Sequence, residues 1–190
     1  MSEVHIIAKG SGNEDAPEDG ETWGVNDIIL RRDQLSMCFH MHEMDWIRRK
    51  EWSALKLIIE KAKKFSISIM TTKVYDWIPT SISFPIDDIV DKFGACYFGS
   101  SIDLMISYAM YQGIYGISER DFDTINLFGV NMVLSNEYKQ QKPSLEFWIG
   151  MAMGLGYKVN VNAGKHSAIL KTYNKKIYGY NIDQFACGEL

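Results

Sequence analysis

The stretch "VHIIAKGSGN", residues 4–13, decides the fold. Residues 4–8 form an almost continuous apolar run that stops at Gly10, the pattern of a strand covered on both faces, as in parallel sheets. This run is read as the first and central strand. The loop Gly10-Ser11-Gly12-Asn13 that follows has two readings. Glycines let backbone N–H groups converge on a phosphate; they also turn a chain at the end of a strand. The loop is not part of a G-x-G-x-x-G or a Walker pattern, and Glu14, Asp15, Glu18, Asp19 and Glu21 follow where a dinucleotide motif would open a helix. The acidic run 14–21 therefore reads as a flap beside the loop.

Strand and helix patterns alternate after it. Residues 22–25 and 35–41 read as strands, with Met37, Phe39 and Met41 alternating against Cys38, His40 and His42. Over 46–64, Ile47, Ala54, Leu55, Ile58, Ile59 and Ala62 recur at helical spacing with basic residues between them. Residues 67–70 return to strand, which makes a βαβ step whose crossover is expected to be right-handed. Pro79 and Pro85 flank "TSISF", read as a surface excursion, and a short helix is expected near 86–93. Ser100 or Ser101 caps a helix with Ile102, Met105, Ile106, Ala109 and Met110 on one stripe, ending at Gly113. Residues 124–128 are a strand. Pro143-Ser144 starts a helix with Leu145, Trp148, Ile149, Ala152 and Met153 on one side, ending at Gly154 and Gly156. Residues 158–161 make the last strand. The expected fold is α/β, a Rossmann-like three-layer sandwich with a mostly parallel sheet. One domain is expected over 1–190, with its core at 3–162 and a C-terminal aromatic arm or hairpin at 165–190.

Composition agrees with a globular chain: 190 residues, 46% of them apolar, with a net charge of −4. The negative balance argues against a surface built chiefly to hold duplex nucleic acid. The three cysteines, Cys38, Cys96 and Cys187, form no C-x-x-C pair, as expected of reduced thiols. No basic segment precedes an apolar one at the N-terminus and no run reaches membrane-spanning length, so the expectation is a cytoplasmic protein with no membrane partner.

In open parallel sheets, ligands bind beyond the carboxyl ends of the strands. That rule gathers the polar candidates. Besides Gly10, Ser11, Gly12 and Asn13, Asn26 and Asp27 follow the second strand. In "FHMHEMDW", His40 and His42 share a side, which suits either a metal with Glu43 or Asp45 or, in the favoured reading, acid–base work by His42 with Glu43 as the other candidate base. No metal ligand is assigned. Tyr97-Phe98-Gly99-Ser100-Ser101 opens a helix and is either a cap or an anion site. After the fifth strand pattern, Asn131, Glu137, Tyr138, Gln141 and Glu146 are polar groups among aromatics, suited to reading a sugar or base.

Taken in order, "GSGN", "WGVND", "FHMHE", "FGSS", "NLFGVNM" with "EY", and "GLGYKV" resemble a phage-encoded Rossmann-like family. More distantly they are similar to bacterial sialyltransferase-like and motility-accessory proteins. The resemblance implies that Gly10, Gly12 and Asn26 hold a nucleotide or nucleotide-sugar. The position of the relatives' G-x-D is Gly129-Val130-Asn131 here, an amide in place of a carboxylate. The expected function is a nucleotide-sugar-dependent, glycosyltransferase-like activity in a host cytoplasm, with an unassigned acceptor for which modified DNA is one candidate. The alternative is a non-catalytic protein that sequesters a nucleotide-derived ligand or signal. Metal dependence and homo-oligomer formation stay open.

Overall fold

The computed structural model describes residues 2–115, 122–133, 136–162, 167–171, 175–179 and 182–183. The opening run forms β1 (Ser2–Ile7), and β2 (Glu21–Val25), β3 (Met37–Phe39), β4 (Ser68–Thr71), β5 (Ser81–Ser83), β6 (Phe122–Phe128) and β7 (Lys158–Asn162) join it in one seven-stranded sheet of order β5-β4-β3-β2-β1-β6-β7. Every strand pair is parallel. The helices are α1 (Met44–Phe65), α2 (Ile86–Phe93), α3 (Ser101–Tyr115) and α4 (Asn136–Gly154), with a short 3-10 helix at Asn26–Leu30. The fold class read from the sequence is therefore the observed one. Among the described residues no helix is long and apolar enough to cross a membrane.

The chain moves from β1 outward to β5 in one direction, then from β6 to β7 in the other. Right-handed crossovers require the helices of the two halves to lie on opposite faces. They do. Val4, Ile6, Trp23 and Phe39 pack with Met105, Ile106, Ala109, Leu145, Trp148 and Ile149 of α3 and α4 in one core cluster, whereas Ile7, Cys38 and Ile69 pack with Ile28, Ile29, Leu55, Ile58 and Ala62 of the 3-10 helix and α1 in the other. Each fully buried aliphatic side chain contributes roughly 1.5–3 kcal/mol. The point where the strand order reverses lies between β1 and β6.

Four local expectations need correction. "TSISF" contains β5, an edge strand paired with Ile69 to Thr71, so the excursion is part of the sheet. Pro79 and Pro85 stand just outside it, where no ladder N–H is lost. Helix α4 begins before Pro143, which lies inside it. The residues ahead of that proline are mostly exposed, so water can serve backbone groups the ring leaves unpaired. Ala54 and Met153 are exposed, not on the core stripes. The acidic run is tied down: the Arg32 guanidinium donates to the carbonyls of Asn13, Ala16 and Pro17 at 3.2, 2.8 and 2.6 Å, and Ala16 is buried. Of the C-terminal arm, 167–171 is bonded to the loop after β6 and to α4, with the Ala168 and Leu170 amides donating to the Asn131 carbonyl and the Glu146 carboxylate. The Lys176–Asp183 bridge is antiparallel; residues 165–166, 172–174, 180–181 and 184–190, which include His166 and Cys187, lie outside the described residues.

Candidate functional site

A cleft of about 920 Å³ opens at the switch point between β1 and β6. Its lining brings together Gly10, Ser11, Asn26, His42, Ser100, Ser101, Asn131, Glu137 and Gln141. They come from five separate readings of the sequence, and the carboxyl ends of the strands collect them as the rule for open parallel sheets requires. Gly12, Asn13, Asp27 and Glu43 do not line it.

The floor is made by two loops that close on one another. The Gly10 amide donates to the Gly129 carbonyl at 2.9 Å, continuing the β1–β6 ladder past the strands, and the Asn131 side-chain amide donates to the Ser11 hydroxyl at 2.9 Å. A Cβ on Gly10 would fall 2.4 Å from the Gly129 carbonyl oxygen, and one on Gly129, whose φ is +67°, would fall 2.6 Å from that of Ala8. Glycine is required at both positions for this approach.

The glycine loop is not an open cradle. Besides the Gly10 amide, the Gly12 amide donates to the Glu14 carboxylate at 3.1 Å, and the Asn13 side chain donates to the Gly10 carbonyl at 2.7 Å. The loop amides of Glu14 and Gly12, with a smaller part from Asn13, hold the Glu14 carboxyl below the usual range. An acidic side chain thus occupies the donors that a phosphate would need.

The same holds at "FGSS". Asp103, completely buried, accepts the Gly99 and Ser100 amides at 2.7 and 3.0 Å and the Ser100 hydroxyl at 2.6 Å, while its own amide donates back to the Ser100 hydroxyl at 3.3 Å. This is a capping box, the cap reading of the motif. Burial pushes the Asp103 carboxyl up, against the Ser100 and Ser144 hydroxyls and the two amides that bond its charged form. Removing that carboxylate leaves buried donors unmatched, so Asp103→Ala is expected to cost about 2 kcal/mol or more in urea unfolding. Asp103→Asn, which keeps one acceptor, is expected to lose less.

Two assignments from the sequence change. Glu43 is the N-cap of α1: its carboxylate accepts the Asp45 and Trp46 amides at 3.1 and 2.7 Å, which fixes it as a helix terminus and not as a base in the cleft. Asp27 is the ion-pair partner of Lys9 at 2.7 Å. Burial raises the Asp27 carboxyl, but the hydrogen bond and charge of Lys9 outweigh it and hold it below the usual range. Lys9 lines the cleft and was missed in the sequence, where it stood between the apolar run and the glycine loop; its place at the exit of β1 was the available signal.

Beneath this pair lies His40, with 5% of its surface exposed and its Nδ1 without a hydrogen-bond partner among the described residues. Burial, then the nearby charge of His42, lowers its pKa to about 4. The two imidazoles are 5.6 Å apart, edge to face, and only His42 reaches the cleft. Cys38 below donates its thiol to the Asn26 carbonyl at 3.3 Å, and burial pushes that thiol up to about 12, so it is an inert core group. Among the described residues no group of three or more His, Cys, Asp or Glu is placed to hold a metal ion.

Asn26 is held at φ +54° with its Oδ1 buried and without a hydrogen-bond partner among the described residues. On the far wall, the Gln141 side-chain amide donates to the Glu137 carboxylate at 2.9 Å. Phe98 adds an aromatic surface and is stacked on Trp148 at 4.7 Å and 16°. Asparagine tolerates the left-handed region better than most residues. The arrangement offers hydrogen-bond acceptors and donors around an apolar interior. No protein-family model, curated protein or solved structure matches the chain.

Proposed function

We propose that this chain binds a nucleotide-derived small molecule in the switch-point cleft and holds it without chemistry. The observation that carries the reading is the convergence of Asn26, His42, Asn131, Glu137 and Gln141 on one cavity at the reversal of a parallel sheet. The sequestration reading is preferred to transfer because one of the two expected bases, Glu43, is engaged as a helix cap. The test is incubation with candidate ligands followed by their recovery. Stoichiometric binding with the ligand intact supports sequestration, and release of free nucleotide from a nucleotide-sugar overturns it.

A second reading, a nucleotide-sugar-dependent transferase, is favoured by His42 on the cleft wall. An imidazole there can take a proton from an acceptor hydroxyl. If transfer occurs, His42→Ala is expected to lower kcat by about 100-fold or more. Turnover that survives the substitution removes His42 as the base.

A further inference from the structure

We infer that the ligand of the cleft is an uncharged nucleoside, alone or bearing a further uncharged group, and that the cleft discriminates against phosphorylated forms. The inference rests on the reading of the cleft as a site for a nucleotide-derived ligand and narrows it.

A phosphate site needs converging N–H donors and a positive field. The amides of Gly10, Gly12, Gly99 and Ser100, the ones the sequence offered for that task, all donate to the protein's own oxygens. For three of them the acceptor is a carboxylate, Glu14 or Asp103, so negative charge already stands where a phosphate would have to come. Among the described residues Lys9 is the only lysine or arginine in the lining, and Asp27 sits 2.7 Å from its ammonium. Glu137 adds a carboxylate to the same lining. Among the described lining residues, a diphosphate would bring its charge against one cation that is already matched and a remaining formal charge that is negative.

The uncharged part of the site is better provided. Asn26 Oδ1 is a buried acceptor in a cleft-lining residue and has no donor among the described residues. Such an orphan costs about 1–3 kcal/mol, which a ligand N–H or O–H would recover when a turn of the side chain brings this buried oxygen to the cleft. The amino groups of nucleobases and the hydroxyls of ribose are donors of this kind. Val25, Met41, Ile102, Val130 and Met132 supply the apolar walls, and Phe98, backed by Trp148, supplies a fixed aromatic surface for a flat heterocycle. The volume of about 920 Å³ leaves room for a substituent beyond the nucleoside itself. On this inference the nucleotide-sugar donor of the transfer reading is excluded and sequestration is retained.

The test is calorimetric titration of the full chain with adenosine, guanosine, cytidine and uridine, their 5′-monophosphates, and UDP-glucose. At least one nucleoside is expected to bind about tenfold or more tightly than both its own monophosphate and UDP-glucose. Tighter binding of a monophosphate or of UDP-glucose overturns this inference and leaves the cleft as a nucleotide site; no binding by any of them overturns both. Asn26→Gly keeps the positive φ and removes the acceptor, so nucleoside affinity is expected to fall about tenfold with the melting temperature little changed. Unchanged affinity in that variant overturns the assignment of Asn26 as the contact.

Discussion

Acidification from pH 7 to pH 4 is expected to lower the stability of the protein by about 3 kcal/mol through one side chain, His40, whose folded pKa is about 4. In the unfolded chain an imidazole takes its proton near pH 6.5. In the folded protein, burial and then the neighbouring His42 postpone that uptake to about 4. Between the two values the unfolded state binds more protons than the native one, so stability falls as pH falls. The contribution is complete above pH 6.5 and lost by the time pH has passed about 4. Asp27 and Lys9 also act on this ring, the first favouring its charge and the second opposing it. His40→Phe, a ring that cannot titrate, is expected to remove about 1.4 kcal/mol per pH unit of slope from urea-derived stabilities in that window. An unaltered acid slope in the variant would show that the loss comes from other groups.

Gly129→Ala is expected to destabilise the protein by about 3 kcal/mol or more and to abolish ligand binding. Two penalties add at this position: a left-handed backbone at φ +67°, and a Cβ within 2.6 Å of the Ala8 carbonyl and 2.8 Å of the Gly10 carbonyl. The atoms it meets are backbone, so relief requires the β1 and β6 loops to part, which separates Ser11 from Asn131. Gly10→Ala tests the steric part alone, because its Cβ would stand 2.4 Å from the Gly129 carbonyl without a positive φ. Thermal unfolding of both variants, with titration of whatever ligand the wild type binds, separates the loss of fold from the loss of site. A Gly129→Ala protein as stable as the wild type would mean that the two loops do not need this approach.

The fold was legible where burial follows a short period. The stripe Ile102, Met105, Ile106, Ala109 and Met110 is buried throughout, as its spacing required. The apolar run of β1 is covered on both faces, and the alternation of Met37 and Phe39 against Cys38 separates the two core clusters. β5 was hidden because three residues between prolines are too few to show a period. The start of α4 was hidden because its polar first turns carry no apolar stripe, and Pro143 looked like a beginning. For the site, the sequence located polar groups at strand ends but not their partners. Whether a loop amide faces a ligand or a carboxylate depends on a side chain such as Asp103 folding back by one helical turn. Similarly, Glu43 looked like a base and is a cap, because two amides of α1 reach it first.

The prolines around β5 have a consequence for the molecule among other molecules. A parallel sheet leaves each outer strand with a free row of amides and carbonyls, on which a foreign strand can grow. On this edge the exposed row is only Ser81 to Ser83, and Pro79 and Pro85 stop it at both ends. An incoming chain would find a template too short to hold it and residues beyond it that cannot donate. The same punctuation that concealed the strand in the sequence therefore protects this edge of the sheet from aggregation.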